Sequence, residues 1–380
     1  MNLLIHDLTS EEWAQIADSY KNWTVISDTG AIRPCIGCFN CWVSGTGACI
    51  FKDGFHQMCT LIHEAEEMVV MSRYTYGGFS SFVKSVWDRS IGYVLPEFET
   101  AYGEMHHQKR FPQDRPVTFR FRGSDLSAED KEKARAYVAA VCRNLRGTVK
   151  EVLFDEMTPD QETRTRDGAV ERAGILMINC SMRGKGSNTG VFLDRFRAEI
   201  GSSAAIDCLS VKDDPEKIAA AMDKADTVVL GAPLYVDGLP ALALRFMEKV
   251  QQQSDEGSCK LYALVNNGLY ESRQNANMLG MIRDFCREKG IRYCGAVAIG
   301  AGEAIGTLMR GKDRPLWPAR NAISGISSLA RAVAGGSELG EIYADPFVFP
   351  RWMYILIANT NWQLLKKAYQ SERQGGTPKG

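Results

Sequence analysis

The sequence predicts an α/β protein: two doubly wound, five-stranded parallel sheets in tandem, followed by a helical C-terminal extension. Three observations predict it. Short unbroken apolar segments alternate with helical patterns, as strands buried on both faces of a parallel sheet do. One stretch of the first half recurs in the second. After about residue 310 the alternation stops, and Pro315, Pro318, Pro346 and Pro350 punctuate the chain.

The recurrence pairs Ala65-Glu66-Glu67-Met68-Val69-Val70 with Ala225-Asp226-Thr227-Val228-Val229-Leu230, an offset of 160. It runs without a gap through the next loop, where Gly78 falls on Gly238. In the helix beyond, Phe79, Phe82, Val83, Val86 and Trp87 fall on Leu239, Leu242, Ala243, Phe246 and Met247. Both sets keep the i, i+3, i+4, i+7, i+8 spacing of an amphipathic helix.

The remaining elements fit the same plan. In the first half the strands are expected over 2–5, 23–26, 68–71, 117–121 and 149–154. In the second they are expected over 175–179, 204–209, 227–231, 261–265 and 295–300. The polar stretch 158–168 reads as a linker. The expected domains are therefore 1–160, 170–310 and a helical extension over 311–380. The extension carries Phe347, Phe349, Trp352, Tyr354 and Trp362 and reads as a cover for apolar surface.

Bulk properties narrow the function. A chain of 380 residues suits two domains. With 45% hydrophobic and 24% charged residues it is of ordinary globular composition. A net charge of −1 gives no pull toward nucleic acid or anionic membrane. Asp7 follows Met1 too closely for an apolar leader, and no apolar run is long enough to span a bilayer, so a cytoplasmic location is the expectation. The 11 cysteines argue against a secreted disulfide framework.

The chemistry is concentrated in loops. The segment Cys180-Ser181-Met182-Arg183-Gly184-Lys185-Gly186-Ser187-Asn188-Thr189 joins a strand to a helix expected to start near Asn188. Such a junction aims backbone N–H groups and the positive helix end at one spot. Gly184 and Gly186 let an anion approach the backbone. Ser181, Ser187 and Thr189 offer hydroxyls, and Arg183 and Lys185 offer charge. The set suits a terminal phosphate. It is neither a Walker A loop nor a G-x-G-x-x-G fingerprint, and a Ser-rich helix cap without ligand is the plain alternative.

Two more loops belong beyond the carboxyl ends of the same sheet, where doubly wound folds bind ligands. They are Ala232-Pro233-Leu234-Tyr235-Val236-Asp237-Gly238 and Asn266-Asn267-Gly268-Leu269-Tyr270. The first offers an apolar and aromatic wall, the second amide donors and a glycine. A flat tricycle with polar edges needs that mixture.

The run S-x-R-x-x-x-S-N-T, then A-P-L-Y-V-D-G, then N-N-G resembles the NAD(P)H-dependent FMN reductase branch of the flavodoxin-like superfamily. The resemblance covers roughly residues 1 to 310, as a tandem duplication. It implies two flavodoxin-like domains, with FMN phosphate on Ser181, Arg183, Ser187, Asn188 and Thr189, to which the charge of Lys185 adds. It places the ring on Pro233, Leu234, Tyr235 and Val236, with Asn267 and Gly268 at its edge. It further implies NAD(P)H as co-substrate and a small-molecule acceptor. Its dimeric members imply an intramolecular pseudo-dimer here and leave a homodimer open.

The first half departs from that pattern where the phosphate loop should be. Asp7-Leu8-Thr9-Ser10-Glu11-Glu12 has no glycine and no basic residue. Thr9 and Glu12 read as a capping box, and carboxylates at a helix start repel phosphate. A degenerate partner domain is expected, with one FMN per chain. No side chain stands out as an essential acid or base. Tyr235, Tyr270 and His107 are candidates, and His106-His107 reads equally as a packing pair.

Cys35, Cys38, Cys41 and Cys49 fall within fifteen residues, before a helix that Asp53 is expected to cap. Compact C-x2-C-x2-C runs are typical of iron–sulfur ligation, whereas structural zinc uses separated C-x2-C knuckles. The loop also resembles that of iron–sulfur flavoproteins, which implies a [4Fe–4S] cluster. Zinc and a thiol-rich turn without metal remain alternatives. The other seven cysteines read as small core residues. The leading expectation is an FMN-dependent oxidoreductase. An electron-transfer protein serving a partner, and a flavin-free interaction module, are the rivals.

Overall fold

A computed structural model describes residues 1–157, 172–201, 204–251, 259–310 and 317–375. The expected linker over 158–168 lies outside the described residues. The chain divides into two compact units. The first comprises Met1–Thr75, Phe82–Met157 and Pro350–Gly380; the second comprises Tyr76–Ser81 and Thr158–Phe349.

The first unit holds strands β1 (Asn2–His6), β2 (Trp23–Ser27), β3 (Glu67–Arg73), β4 (Val94–Ala101), β5 (Glu104–Lys109), β6 (Pro116–Gly123) and β7 (Thr148–Glu156). Its helices are α1 (Ser10–Ile16), α2 (Asn40–Val43), α3 (Met58–Glu64), α4 (Ser81–Asp88) and α5 (Ala128–Asn144). The sheet order is β2-β1-β3-β6-β7, all parallel. β4 and β5 form a separate antiparallel hairpin between α4 and β6.

The second unit holds β8 (Ile175–Asn179), β9 (Ile206–Ser210), β10 (Thr227–Pro233), β11 (Lys260–Asn266), β12 (Arg292–Ile299) and β13 (Gly340–Ala344). Its helices are α6 (Asn188–Ile200), α7 (Pro215–Lys224), α8 (Ala241–Gln251), α9 (Ala276–Lys289), α10 (Gly302–Met309) and α11 (Arg320–Gly335). The sheet order is β9-β8-β10-β11-β12-β13, again all parallel. The last helix, α12 (Arg351–Gly375), belongs to the first unit.

Numbering strands within each sheet, with the hairpin set aside, both follow the order 2-1-3-4-5 of the flavodoxin-like fold. All ten expected strands are present. The repeated stretch covers matching elements: β3 and β10 are both seven residues long, with Glu67 and Thr227, and Arg73 and Pro233, each 160 apart.

Two expectations are corrected. The second sheet has six strands, not five, and the sixth comes from the extension expected to be helical. β13 escapes sequence reading because it is a short, half-exposed edge strand with Gly340 at its start and Glu341 on it. The extension is also divided between the units: β13 and α11 build the second sheet's flank, and α12 joins the first unit.

The central strands of each sheet are buried on both faces. Leu3, Leu4, Ile5, Phe119 and Phe121 in one, and Leu261 to Val265 and Ala296 to Ile299 in the other, have no exposed surface. Burying one such aliphatic or aromatic side chain contributes about 1.5–3 kcal/mol. α4 is buried on every side from Phe82 to Asp88, beyond the one-sided pattern of its sequence. Lys84 is tolerated there because it pairs with Asp88 one turn on.

Candidate functional site

Four loops meet at the carboxyl edge of the second sheet, after β8, β10, β11 and β12. The loop after β8 is shaped by its own side chains. Ser181 N–H donates to Asn179 Oδ1 at 2.9 Å, and Asn179 Nδ2 donates to Gly184 O at 3.2 Å. Ser187 caps α6: its Oγ accepts from Gly190 N–H at 2.9 Å and donates to Gly184 O at 2.6 Å. Thr189 Oγ1 donates to Asn266 Oδ1 at 2.8 Å, which ties the loop to the end of β11. A Cβ on Gly190 would stand 2.7 Å from Lys185 O, so the helix start fits the loop only with glycine there.

The buried hydroxyls of Ser187 and Thr189 thus hold the loop's shape. The groups left open are different. The N–H groups of Asn188 and Thr189, the first two of α6, find no hydrogen-bond acceptor among the described residues. Nothing lies within 4 Å of where a Cβ would stand on Gly184 or Gly186. Arg183 and Lys185 are exposed beside them. Arg310, at the end of α10, donates to Asn188 Oδ1 at 3.1 Å and to Gly186 O at 3.4 Å. Sequence reading missed Arg310, which is 121 residues beyond the loop's last residue and carries no motif of its own.

The loop after β10 is a tight turn. Tyr235 and Gly238 exchange two N–H···O bonds, each 3.0 Å. Between them Val236 and Asp237 have φ of 37° and 59°. Two positive φ values in a two-residue loop mark a type I′ turn, which favours Asn and Gly. A β-branched residue there is a backbone outlier, at a cost on the order of 1–3 kcal/mol. Leu234 N–H donates to Asn266 O at 2.7 Å, which fixes the turn against the next loop.

In that loop Asn267 Nδ2 donates to Glu271 O at 2.9 Å, while its buried Oδ1 has no partner among the described residues. The fourth loop, after β12, backs it: Gly302 N–H donates to Asn267 O at 2.6 Å, and Ala301 is left-handed with φ of 49°. Gly268 faces open space. Tyr270 Oη donates to Phe349 O at 2.7 Å.

The equivalent edge of the first sheet is closed by ion pairs. Thr9 and Glu12 form the expected capping box. Arg73 N–H donates to both carboxylate oxygens of Asp7 at 3.0–3.1 Å. Arg122 bridges Asp7 at 3.0 Å and Glu12 at 2.5 Å. The segment Tyr76–Ser81 groups with the second unit, where Ser81 Oγ donates to Glu248 Oε2 at 2.7 Å.

The first unit's own chemistry lies elsewhere. Cys35, Cys38, Cys41 and Cys49 line one depression, with Phe39, Phe51, Asp88 and Arg89 among its other walls. Gly37 and Phe39, with φ of 64° and 57°, turn the chain within the stretch that carries the first three of these cysteines. Burial raises the Cys35 thiol pKa and pushes Cys41 up to about 12. Among the described residues no group of three or more His, Cys, Asp or Glu side chains is drawn together as a single metal ion needs. A cluster has a different requirement, since it places each thiolate on its own iron.

α12 covers this loop. Trp362 packs edge-on against Phe39 and Trp42, both at 5.4 Å, and Tyr369 Oη donates to Asn40 Oδ1 at 3.2 Å. His107 lies under Trp42 and Phe98, where burial brings its pKa down to about 4. Its ring contacts there are with aromatic side chains. Asp53 does not cap α3, whose N-cap is Gln57; it binds Arg89. Cys208 is exposed, contrary to the expected core role, while Cys59, Cys142, Cys180, Cys259, Cys286 and Cys294 are buried.

The chain matches no protein-family model and no curated protein. Among solved structures it is similar to the Trp repressor binding protein from Bacillus subtilis, at 15% identity and a TM-score of 0.32, over 41% of this chain and 96% of that one. It is also similar to an azoreductase from Bacillus anthracis str. Sterne, at 13% identity and a TM-score of 0.31, over 43% and 98%. A third is the NAD(P)H:quinone oxidoreductase from Methanothermobacter marburgensis, at 14% identity and a TM-score of 0.30, over 44% and 95%. The fold class follows from the strand order of the two sheets. Among the described residues no helix is long and apolar enough to cross a membrane.

Proposed function

We propose that the second unit binds FMN and that the chain is an FMN-dependent oxidoreductase. It takes hydride from NADH or NADPH, or electrons from a carrier, and reduces a small organic acceptor such as a quinone or a flavin. The observation that carries this reading is the open anion cradle at the start of α6. There, free N–H groups, two unobstructed glycines and three cationic side chains stand at the carboxyl edge of a doubly wound sheet.

The phosphate would be held by the N–H groups of Asn188 and Thr189 with Arg183, Lys185 and Arg310. Ser181, Ser187 and Thr189 shape the loop. Pro233, Leu234, Tyr235 and Val236 supply the wall for the ring, and Asn267 and Gly268 its polar edge. The unpartnered Oδ1 of Asn267 is a ready acceptor for a ring N–H. FMN, when bound, supplies the hydride and electron chemistry. The chain binds it, orients it and screens it from water. Tyr270 has its proton engaged by Phe349, so it positions rather than donates.

The thiol-lined depression favours a second reading, an electron-transfer protein that passes electrons to a partner through FMN and an iron–sulfur cluster. Cys35, Cys38, Cys41 and Cys49 would hold that cluster; the donor set and the shared space fit it. The shared strand order and the matching register 160 residues apart support an origin by tandem duplication.

The deciding experiment is an ultraviolet–visible spectrum of protein purified without oxygen, followed by FMN titration and NADH and NADPH turnover with quinones and free flavin. Flavin bands with turnover support the enzyme. Flavin bands without turnover on any acceptor leave the electron-transfer reading. Colourless protein that takes up no FMN establishes the flavin-free module and defeats both redox readings.

A further inference from the structure

Arg89 follows the last residue of α4, and its side chain has no exposed surface. A cation in such a place must be compensated and held. Asp53 does both: its carboxylate takes Nη1 and, at 2.7 Å, Nη2. The carbonyls of Arg33 and Phe51 accept from the same guanidinium, each at 3.2 Å. Burial works against ionisation of Asp53, but Arg89 and the N–H groups of Arg33 and Phe55 outweigh it and bring its pKa down to about 2. The pair is therefore a fixed charge pair across the working pH range.

This pair stands at the wall of the thiol-lined depression. Arg89 lines it together with all four cysteines. Its Nε–H is buried and has no hydrogen-bond partner among the described residues. Arg89 and Cys49 share that lining. Asp88, on the same wall, is paired with Lys84. A donor left over on a buried guanidinium beside a sulfur is in place to serve a thiolate.

We propose that Arg89, held by Asp53, is the positioning residue that sets the electron affinity of an iron–sulfur cluster on Cys35, Cys38, Cys41 and Cys49, an inference that rests on the cluster reading given above. A cluster that accepts one electron gains one negative charge. A fixed cation in water-poor surroundings stabilises that form and raises the potential. Asp53 opposes it. Removing the cation and removing its counterion therefore move the potential in opposite directions, which a merely structural role does not do.

The test uses the full chain, reconstituted without oxygen with iron and sulfide. It is titrated with dithionite as electron donor and ferricyanide as acceptor, one electron per cluster. The cluster's paramagnetic signal is the readout. Arg89→Gln is expected to shift the reduction equilibrium at least tenfold toward the oxidised form, about 59 mV lower for one electron. Asp53→Asn, which removes the charge and keeps one of the two acceptor oxygens that Arg33 and Phe55 use, is expected to shift it upward. Arg89→Lys is expected to stay nearer the parent than Arg89→Gln. A cluster that forms with unchanged potential in Arg89→Gln and Asp53→Asn overturns the inference and leaves the cluster reading standing. If Arg89→Gln loses the cluster, Asp53→Asn decides: a rise supports the inference, no change overturns it. Parent protein that takes up no iron overturns the cluster reading and the inference together.

Discussion

The two loops that follow the first strand of each sheet occupy one topological position and solve one electrostatic problem in opposite ways. Each lies at a helix start, where unpaired N–H groups attract negative charge. In the first unit the chain supplies that charge itself: Glu12 takes the N–H of Thr9, Asp7 takes that of Arg73, and Arg122 joins the two carboxylates. In the second unit the helix start keeps two N–H groups open, with Arg183, Lys185 and Arg310 around them. Ser10 and Glu11, the first two residues of α1, likewise keep N–H groups without an acceptor among the described residues, so the two positions differ in the charge around the helix start: carboxylates in one unit, cations in the other.

The comparison breaks most visibly if the first loop's ion pairs carry no stability. Asp7 and Arg122 are both over nine-tenths buried as side chains. Arg122→Ala leaves the Asp7 carboxylate buried without its cation, at about 3 kcal/mol. Denaturant unfolding followed by tryptophan fluorescence checks this, because six of the seven tryptophans lie in the first unit and only Trp317 in the second. FMN affinity of the same variant should be unchanged. The converse change, Arg183→Glu with Ser187→Ala, puts a carboxylate into the open loop and removes its cap. FMN affinity is expected to fall by about 100-fold or more, near 2.7 kcal/mol. Full flavin occupancy in that variant refutes the phosphate placement.

Acid tests the same contrast. Asp53 has a folded pKa of about 2, below its ordinary value, and Glu12 is lowered too, against its own burial, by the Thr9 cap and by Arg122. A depressed carboxylate contributes stability that is present above its unfolded pKa and is lost as pH falls through the folded one. Between about pH 4 and pH 2 the first unit should therefore lose about 2 kcal/mol through Asp53, whose side chain is only 12% exposed. The tryptophan unfolding midpoint should drop across that window. A midpoint flat from pH 5 to pH 2.5 contradicts the assignment.

The sheets were legible because strands buried on both faces read as unbroken apolar runs; Leu261 to Val265 needs no partner to be recognised. The loop after β8 was legible as a candidate anion site because its residues are contiguous. What sequence hid was assembled from distance. β13 is an edge strand with a charged residue on it, so burial left little pattern. Arg310 reaches Asn188 across more than a hundred residues. Asp53 looked like a helix cap because Asp caps helices, yet the pull of a buried guanidinium took it instead. Trp362 read as part of a cover for apolar surface, but not which surface: Phe39 and Trp42 are more than three hundred residues away in the chain.

The smallest expected effect draws the sharpest line between a loop that folds and a loop that binds. Gly186 has an ordinary negative φ, and nothing lies within 4 Å of the position a Cβ would take. Alanine there meets no steric obstacle, and it reduces the freedom of the unfolded chain, so Gly186→Ala should leave stability unchanged or raise it by about 0.5 kcal/mol. A phosphate resting on the backbone at Gly186 meets the new methyl directly. FMN affinity should then fall about tenfold, near 1.4 kcal/mol. Gly190→Ala is the control, because its Cβ would strike Lys185 O and disturb folding and binding together. Thermal unfolding and flavin titration on the two variants separate the roles. If Gly186→Ala binds FMN as tightly as the parent, the open face of that glycine is not where the anion sits, and the cradle must be redrawn around Arg183 and Arg310.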